Sequence, residues 1–286
     1  MSTGPMSTMP TSTSLMPARL LVNGVAPANP AEAIAVNDRG LNYGDGLFET
    51  ALLRKGAVRF LQSHLHRLRD GCERLGIAWP GDEQLTLEIA GVSEAADEGV
   101  LKIIVTRGAG GRGYRPSSSV QATRIVALYP LPEHSTESTF TVRWCALRLS
   151  RNAMLAGMKH LNRLEQVLAQ REWSDEAIGE GLMLDTEGEL VCGTASNVFI
   201  VRNGVLLTPD LRFCGVRGVM RSQVLRMAAE LRLQFNEEPL WPHDVESATE
   251  IFVTNAVRGI RAVTALESLR WDVGPVAQRL IRELDR

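Results

Sequence analysis

A chain of 286 residues, 44% hydrophobic and 22% charged, has the length and balance of a folded globular protein with one large core or two. Its formal net charge of −2 and pI near 6.3 supply no long-range attraction for nucleic acid or an acidic membrane surface. No window approaches 18 consecutive apolar residues, which excludes a membrane-spanning helix; four dispersed cysteines without a C-x-x-C pair indicate neither zinc site nor disulfide framework and fit a reducing cytoplasm.

Residues 1–17, MSTGPMSTMPTSTSLMP, lack an early positive charge and an apolar stretch of signal-peptide length, and their Ser, Thr, Met and Pro content predicts a disordered tail. Strand character begins at RLLVNG, and YGDGLFETALLRKGAVRFL predicts a hairpin turning at Lys55-Gly56. Leu65, Leu68, Cys72 and Leu75 recur at helical spacing before Gly76, and residues 83–96 predict a second helix. Two strands, LKIIVTR and TRIVALYP, flank the glycine-rich GAGGRGYRPSSS. Residues 18–130 therefore read as a small α+β domain, and the polar, proline-bearing 131–139 as a linker to a larger domain over 140–286. There FTVRWCAL predicts a strand, and 159–173 a helix burying Leu161, Leu164 and Leu168 on one face just after Met158. GLMLDTEGELV predicts a hairpin turning at Gly188, and NVFIV and VLLTP a second one across Arg202-Asn203-Gly204. A helix begins near Val219 with Met220, Val224, Met227 and Leu231 on one face, EIFVTNAV is a strand running into a turn, and 275–285 a closing helix.

Gly108-x-Gly110-x-x-Gly113 satisfies a dinucleotide-binding spacing, but Pro116 and three serines follow where a helix would have to begin. The same loop carries Arg107, Arg112 and Tyr114, a set able to clasp a carboxylate if it folds over a cleft, or else a solvated turn. In CGVRGVMR, Gly215 and Gly218 lead into a helix whose first backbone N–H groups are free to hold a phosphate, and Thr254-Asn255-Ala256 offers a second set of donors. Arg67 could close such a cradle, or be a solvated helix arginine. His64 and His66 lie two apart on a helix and diverge, so no metal site is assigned, and no G-x-S-x-G elbow is present. The chain holds three lysines against 28 arginines. Lys55 reads as a turn residue and Lys102 as a strand entrance, whereas Lys159 stands at a helix start beside a core; unlike arginine, lysine can lose its proton and attack a carbonyl.

Taken in order, NDRGLNYGDGLFET (37–50), SHLHRL (63–68), TRGAGGRGY (106–114), KHLNRLEQV (159–167), CGTASNVF (192–199) and GVMR (218–221) resemble the fold-type IV pyridoxal-phosphate enzymes. That group contains branched-chain and D-amino-acid aminotransferases and 4-amino-4-deoxychorismate lyases, and RGAGGRGY and KHLNRLEQ look like the lyases. The resemblance implies a two-domain α+β fold, with a small N-terminal α/β domain and a larger domain around a β-barrel-like core, paired as a homodimer. It implies that Lys159 bonds pyridoxal 5′-phosphate covalently and that Arg67, Gly218, Val219, Met220, Asn255 and Ala256 hold its phosphate. Tyr43 and Thr50, along the strand that begins the first hairpin, would border the substrate, Arg107 and Arg112 would receive carboxylates, and Lys159 or Thr50 would move protons. Where most of the group sets a glutamate against the pyridine nitrogen, this sequence has Cys192, whose neutral thiol would leave a weaker electron sink. That departure favours an elimination ending in an aromatic ring over transamination.

Overall fold

A computed structural model describes residues 16–117, 120–131 and 141–285. The expected tail and linker fall almost wholly outside the described residues.

In the first half, β1 (Arg19–Val22), β2 (Gly46–Arg54), β3 (Ala57–Val58), β4 (Glu98–Thr106) and β5 (Thr123–Tyr129) form one antiparallel sheet in the order β1-β5-β4-β2-β3. Because successive side chains on a strand point to opposite faces, Leu47, Ala51, Leu53, Leu101, Ile103 and Val105 all reach one side. A short α1 (Arg39–Tyr43) precedes β2, and α2 (Leu61–Leu75) and α3 (Asp82–Ser93) cover that apolar side with Leu65, Leu68, Cys72, Leu85, Ile89 and Val92. The opposite side carries Phe48, Thr50 and Lys102, with Thr50 and Lys102 paired across the ladder.

The second half holds two more five-stranded sheets. One runs β15-β14-β6-β7-β8, comprising β6 (Thr141–Leu149), β7 (Ile178–Asp185), β8 (Leu190–Gly193), β14 (Ala265–Leu266) and β15 (Leu269–Arg270). The other runs β11-β10-β9-β12-β13, comprising β9 (Asn197–Arg202), β10 (Val205–Thr208), β11 (Phe235–Glu237), β12 (Glu250–Asn255) and β13 (Gly259–Ala262). Val142, Leu182 and Leu190 from the first meet Val198, Ile200 and Val253 from the second in a shared barrel-like core. The remaining helices are α4 (Leu164–Gln170), α5 (Val219–Glu230), α6 (Pro242–Glu246) and α7 (Pro275–Leu284). Of these, α5 and α7 cover the outer face of the second sheet, where Val224, Met227 and Leu280 surround the stacked rings of Phe199 and Phe252.

Four expectations are corrected. The helix expected over 159–173 spans only α4, because Phe48 N donates to Lys159 O at 3.0 Å and Leu161 N donates to Gly46 O at 3.0 Å. The backbone of 159–161 therefore pairs with β2 instead of with its own next turn. The stripe on α4 is real but faces outward, Leu164, Val167 and Leu168 being 75%, 52% and 50% exposed, while Met158 packs into the first core. Lys102 lies within β4 instead of at its entrance, and Tyr43 lies on α1, off the strand that carries Thr50.

Candidate active site

Lys159 is seated where the second half of the chain crosses back onto the first sheet. Its Nζ stands 4.2 Å from the ring centroid of Phe48, and Lys102 Nζ stands 5.8 Å from the same ring. Burial, then the nearby Arg67 guanidinium, with lesser pushes from Arg163 and Lys102, outweigh the pull of Glu49 and lower the Lys159 amine to about 8. A buried amine among cations is a nucleophile near neutral pH, which an ordinary surface lysine is not.

The position of Arg67 follows from a charge on the core side of β2. Glu49 points inward between Leu47 and Ala51 and is 1% exposed. Arg67 Nε donates to Glu49 Oε1 at 2.8 Å and Nη2 to Oε2 at 2.5 Å, a bidentate pair, and Nη1 donates to Arg217 O at 3.0 Å. His64 Nδ1 lies 2.6 Å from Glu49 Oε2; since an ionised carboxylate only accepts, the ring nitrogen is the donor. Burial alone would raise the Glu49 carboxyl, but Arg67 and His64 override it and hold it at about 2.

Through Arg217, Arg67 is fixed to the start of α5. Gly218 caps that helix, no side chain caps its first turn, and Gly218 N donates to Asn197 Oδ1 at 3.1 Å. A Cβ at Gly218 would meet that oxygen at 2.1 Å, so glycine is required there. The N–H groups of Val219 and Met220 thus open beside a guanidinium, an anion site in both charge and geometry. Asn197 also pairs with Thr254 across the β9–β12 ladder, which brings in the second turn. There Asn255 Oδ1 accepts from Val257 N at 3.1 Å and Arg258 N at 2.7 Å, leading the backbone of Asn255 and Ala256 around. A small molecule with a phosphate at one end and an aldehyde at the other fits this set, the phosphate on α5, Arg67 and the Asn255 turn, the aldehyde at Lys159.

Cys192 is 6% exposed, and burial pushes its thiol well above the ordinary range, so it is neutral. It packs in a core with Cys145, Met183, Val191 and Leu211, opposite Met183 on the β7–β8 ladder. The buried carboxylate beside it, Glu180, accepts from Thr194 N at 3.0 Å and Ser196 Oγ at 2.7 Å, so that acid shapes the 194–196 turn.

Lys159, Arg67, the start of α5 and the Asn255-Ala256 turn are therefore brought together, with Thr50 on the Phe48 side of β2, whereas Cys192 sits in its own core cluster and the loop residues gather elsewhere. Arg107 donates to Asp45, at 2.7 and 3.0 Å, and to the carbonyls of Gly76 and Leu75. Arg112 is exposed, and Tyr43 Oη accepts from Gly113 N at 3.2 Å within the same loop cluster. Sequence reasoning missed Glu49, Lys102, Asn197 and Arg163. For Glu49 a signal existed, since an acid at an inward position of an otherwise apolar strand requires a buried cation.

Residues 46–266 match the model of the class IV amino-transferase family. A putative branched-chain-amino-acid aminotransferase of Methanocaldococcus jannaschii is 32% identical over 87% of this chain and 88% of its own length. An aminodeoxychorismate lyase of Vibrio harveyi is 30% identical over 91% of this chain and 97% of its own. The crystal structure of the 4-amino-4-deoxychorismate lyase from Pseudomonas aeruginosa superposes with a TM-score of 0.87 at 42% identity, covering 93% of this chain and 97% of that one. The match over most of the chain and the geometry around Lys159 agree: this chain belongs to the class IV aminotransferases, the fold-type IV pyridoxal-phosphate enzymes.

Proposed function

We propose that this chain is an aminodeoxychorismate lyase, converting 4-amino-4-deoxychorismate into 4-aminobenzoate, a folate precursor, and pyruvate. The observation that carries this reading is the 42% identity to the Pseudomonas aeruginosa lyase across nearly both whole chains, with a buried, neutral thiol at Cys192. When bound, the pyridoxal phosphate supplies an electron sink for the bond to the C4 hydrogen. Arg67, with the N–H groups of Val219 and Met220 and the turn at Asn255 and Ala256, holds the phosphate. Lys159 Nζ takes the C4 proton as general base, and enolpyruvate leaves from the neighbouring ring carbon as the ring becomes aromatic. The proton that turns enolpyruvate into pyruvate comes from Lys159 or the Thr50 hydroxyl on the same side of β2. Lys102, on that side too, is placed to receive a substrate carboxylate.

Supplying 4-amino-4-deoxychorismate and assaying 4-aminobenzoate and pyruvate tests the reading; failure to form either overturns it. A second reading, transamination of a branched-chain or D-amino acid, is favoured by the Methanocaldococcus relative and gains if leucine or D-alanine with 2-oxoglutarate yields glutamate. The combination of the apoprotein with pyridoxal phosphate, followed by the growth of yellow absorbance, is expected to be half-maximal in rate at about pH 8. The lowered Lys159 amine dictates the sign: protonated below that pH it cannot attack, and above it the rate levels off. Lys102→Met is expected to raise KM by about tenfold, the loss of one charge-assisted contact, at unchanged cofactor content. An unaltered KM would remove Lys102 from substrate binding. The outward apolar stripe of α4 supports a homodimer, which sedimentation at micromolar concentration checks.

A further inference from the structure

Beyond Phe48 and Thr50, the next residue on the same side of β2 is Leu52, and it opens onto a second cleft of about 370 Å³. The cleft is bounded by the β2–β3 hairpin, the turn between β12 and β13, and the end of α7. Among the described residues four arginines line it, Arg54 and Arg59 from the hairpin, Arg258 from the turn and Arg261 from β13, against two carboxylates, Glu98 and Asp285. The cations repel in pairs. Burial and Arg54 weaken the hold of Arg59 on its proton, partly offset by Asp285, and burial and Arg258 do the same at Arg261. Arg59 is further anchored, donating through Nη2 to Leu284 O at 2.9 Å. The side chains of Arg54 and Arg258 make no hydrogen bond or ion pair among the described residues, although Glu98 faces Arg54 across the ladder. Like charges gathered in a concave site are relieved by a bound anion, and guanidinium forks match carboxylates. The cleft also adjoins the cradle, because Asn255 Oδ1 holds the backbone N–H of Arg258.

We propose that this cleft binds a small molecule carrying at least two carboxylates. Two sources share that chemistry. One is the substrate itself, reaching from Lys159 past Thr50 and Leu52, a source that rests on the lyase reading above. The other is an independent polycarboxylate.

Titration calorimetry on the full chain loaded with pyridoxal phosphate distinguishes them, using chorismate, which has both carboxylates but a hydroxyl in place of the amine, and citrate. The proteins are wild type, Arg54→Gln, Arg258→Gln and the double variant; both positions are exposed, and thermal melts check that folding is retained. Weakening of chorismate by about tenfold or more in the double variant supports the cleft with the substrate as its occupant. Weakening of citrate alone supports the cleft with an independent anion. Equal affinities in all four proteins, or no binding of either anion to wild type, overturn the proposal. Borohydride fixation of the cofactor on Lys159, followed by mass in the same samples, keeps the readings apart: its absence sinks the Lys159 assignment and leaves the calorimetry to judge the cleft.

Discussion

Lys159→Ala is expected to lower kcat/KM by at least about a thousandfold, roughly 4 kcal/mol of transition-state stabilisation, and to abolish borohydride-fixed cofactor at that position. The effect is large because no other group can take over. Of the three lysines in the chain, Lys55 lies in the exposed β2–β3 turn and Lys102 Nζ stands farther from the Phe48 ring, 5.8 Å from its centroid. Lys159→Arg separates charge from chemistry: it keeps a cation in the pocket but has no attainable neutral form, so it is expected to be as inactive as the alanine variant. Turnover near wild type in either protein, measured as 4-aminobenzoate release, removes Lys159 from the reaction.

The second large effect is expected at Glu49→Gln. Arg67 is one half of a buried bidentate pair, and neutralising its partner leaves a guanidinium in a pocket without its counter-charge. Breaking such a pair costs about 3–5 kcal/mol of stability. Arg67 also loses the group that holds it beside Arg217, so cofactor affinity should fall with it. The pH dependence has a definite sign. The Glu49 carboxyl is held at about 2 in the fold against an ordinary value of 4.5, so its contribution is complete above about pH 4.5 and lost as pH falls toward 2. The total is about 3 kcal/mol. Denaturant unfolding between pH 6 and pH 2.5 should show this slope in wild type and a shallower one in the variant. A Glu49→Gln protein with wild-type stability and cofactor affinity at pH 7 would falsify the positioning role.

Much of this architecture was legible in the chain. Both hairpin turns, at Lys55-Gly56 and Asn203-Gly204, have every residue at positive φ, a backbone demand that glycine and asparagine announce locally. The buried faces of α2 and α5 obey the helical period, because burial against one surface imposes it. The lysine was singled out by its scarcity beside arginine, which cannot do its chemistry, and by its place next to apolar residues.

The errors share one cause. The apolar spacing after Lys159 reads as a buried helix, yet residues 159–161 are drawn into pairing with β2, more than 100 positions away, and the stripe of α4 faces outward. The arginine contacts are likewise remote in sequence: Arg107 meets Asp45, 62 residues distant, and Arg67 owes its position to Glu49 and to Arg217, 18 and 150 residues away.

The sequence by itself determined the main strands and helices, several turns, and which amine had the chemistry to act, because these follow from backbone torsions and side-chain chemistry within a few residues. Only the tertiary structure decided which charges meet, and hence that the Lys159 amine is lowered to about 8, the Glu49 carboxyl is held at about 2 and Arg107 meets Asp45. Electrostatic energy depends on distance in space, on which the chain's own numbering is silent.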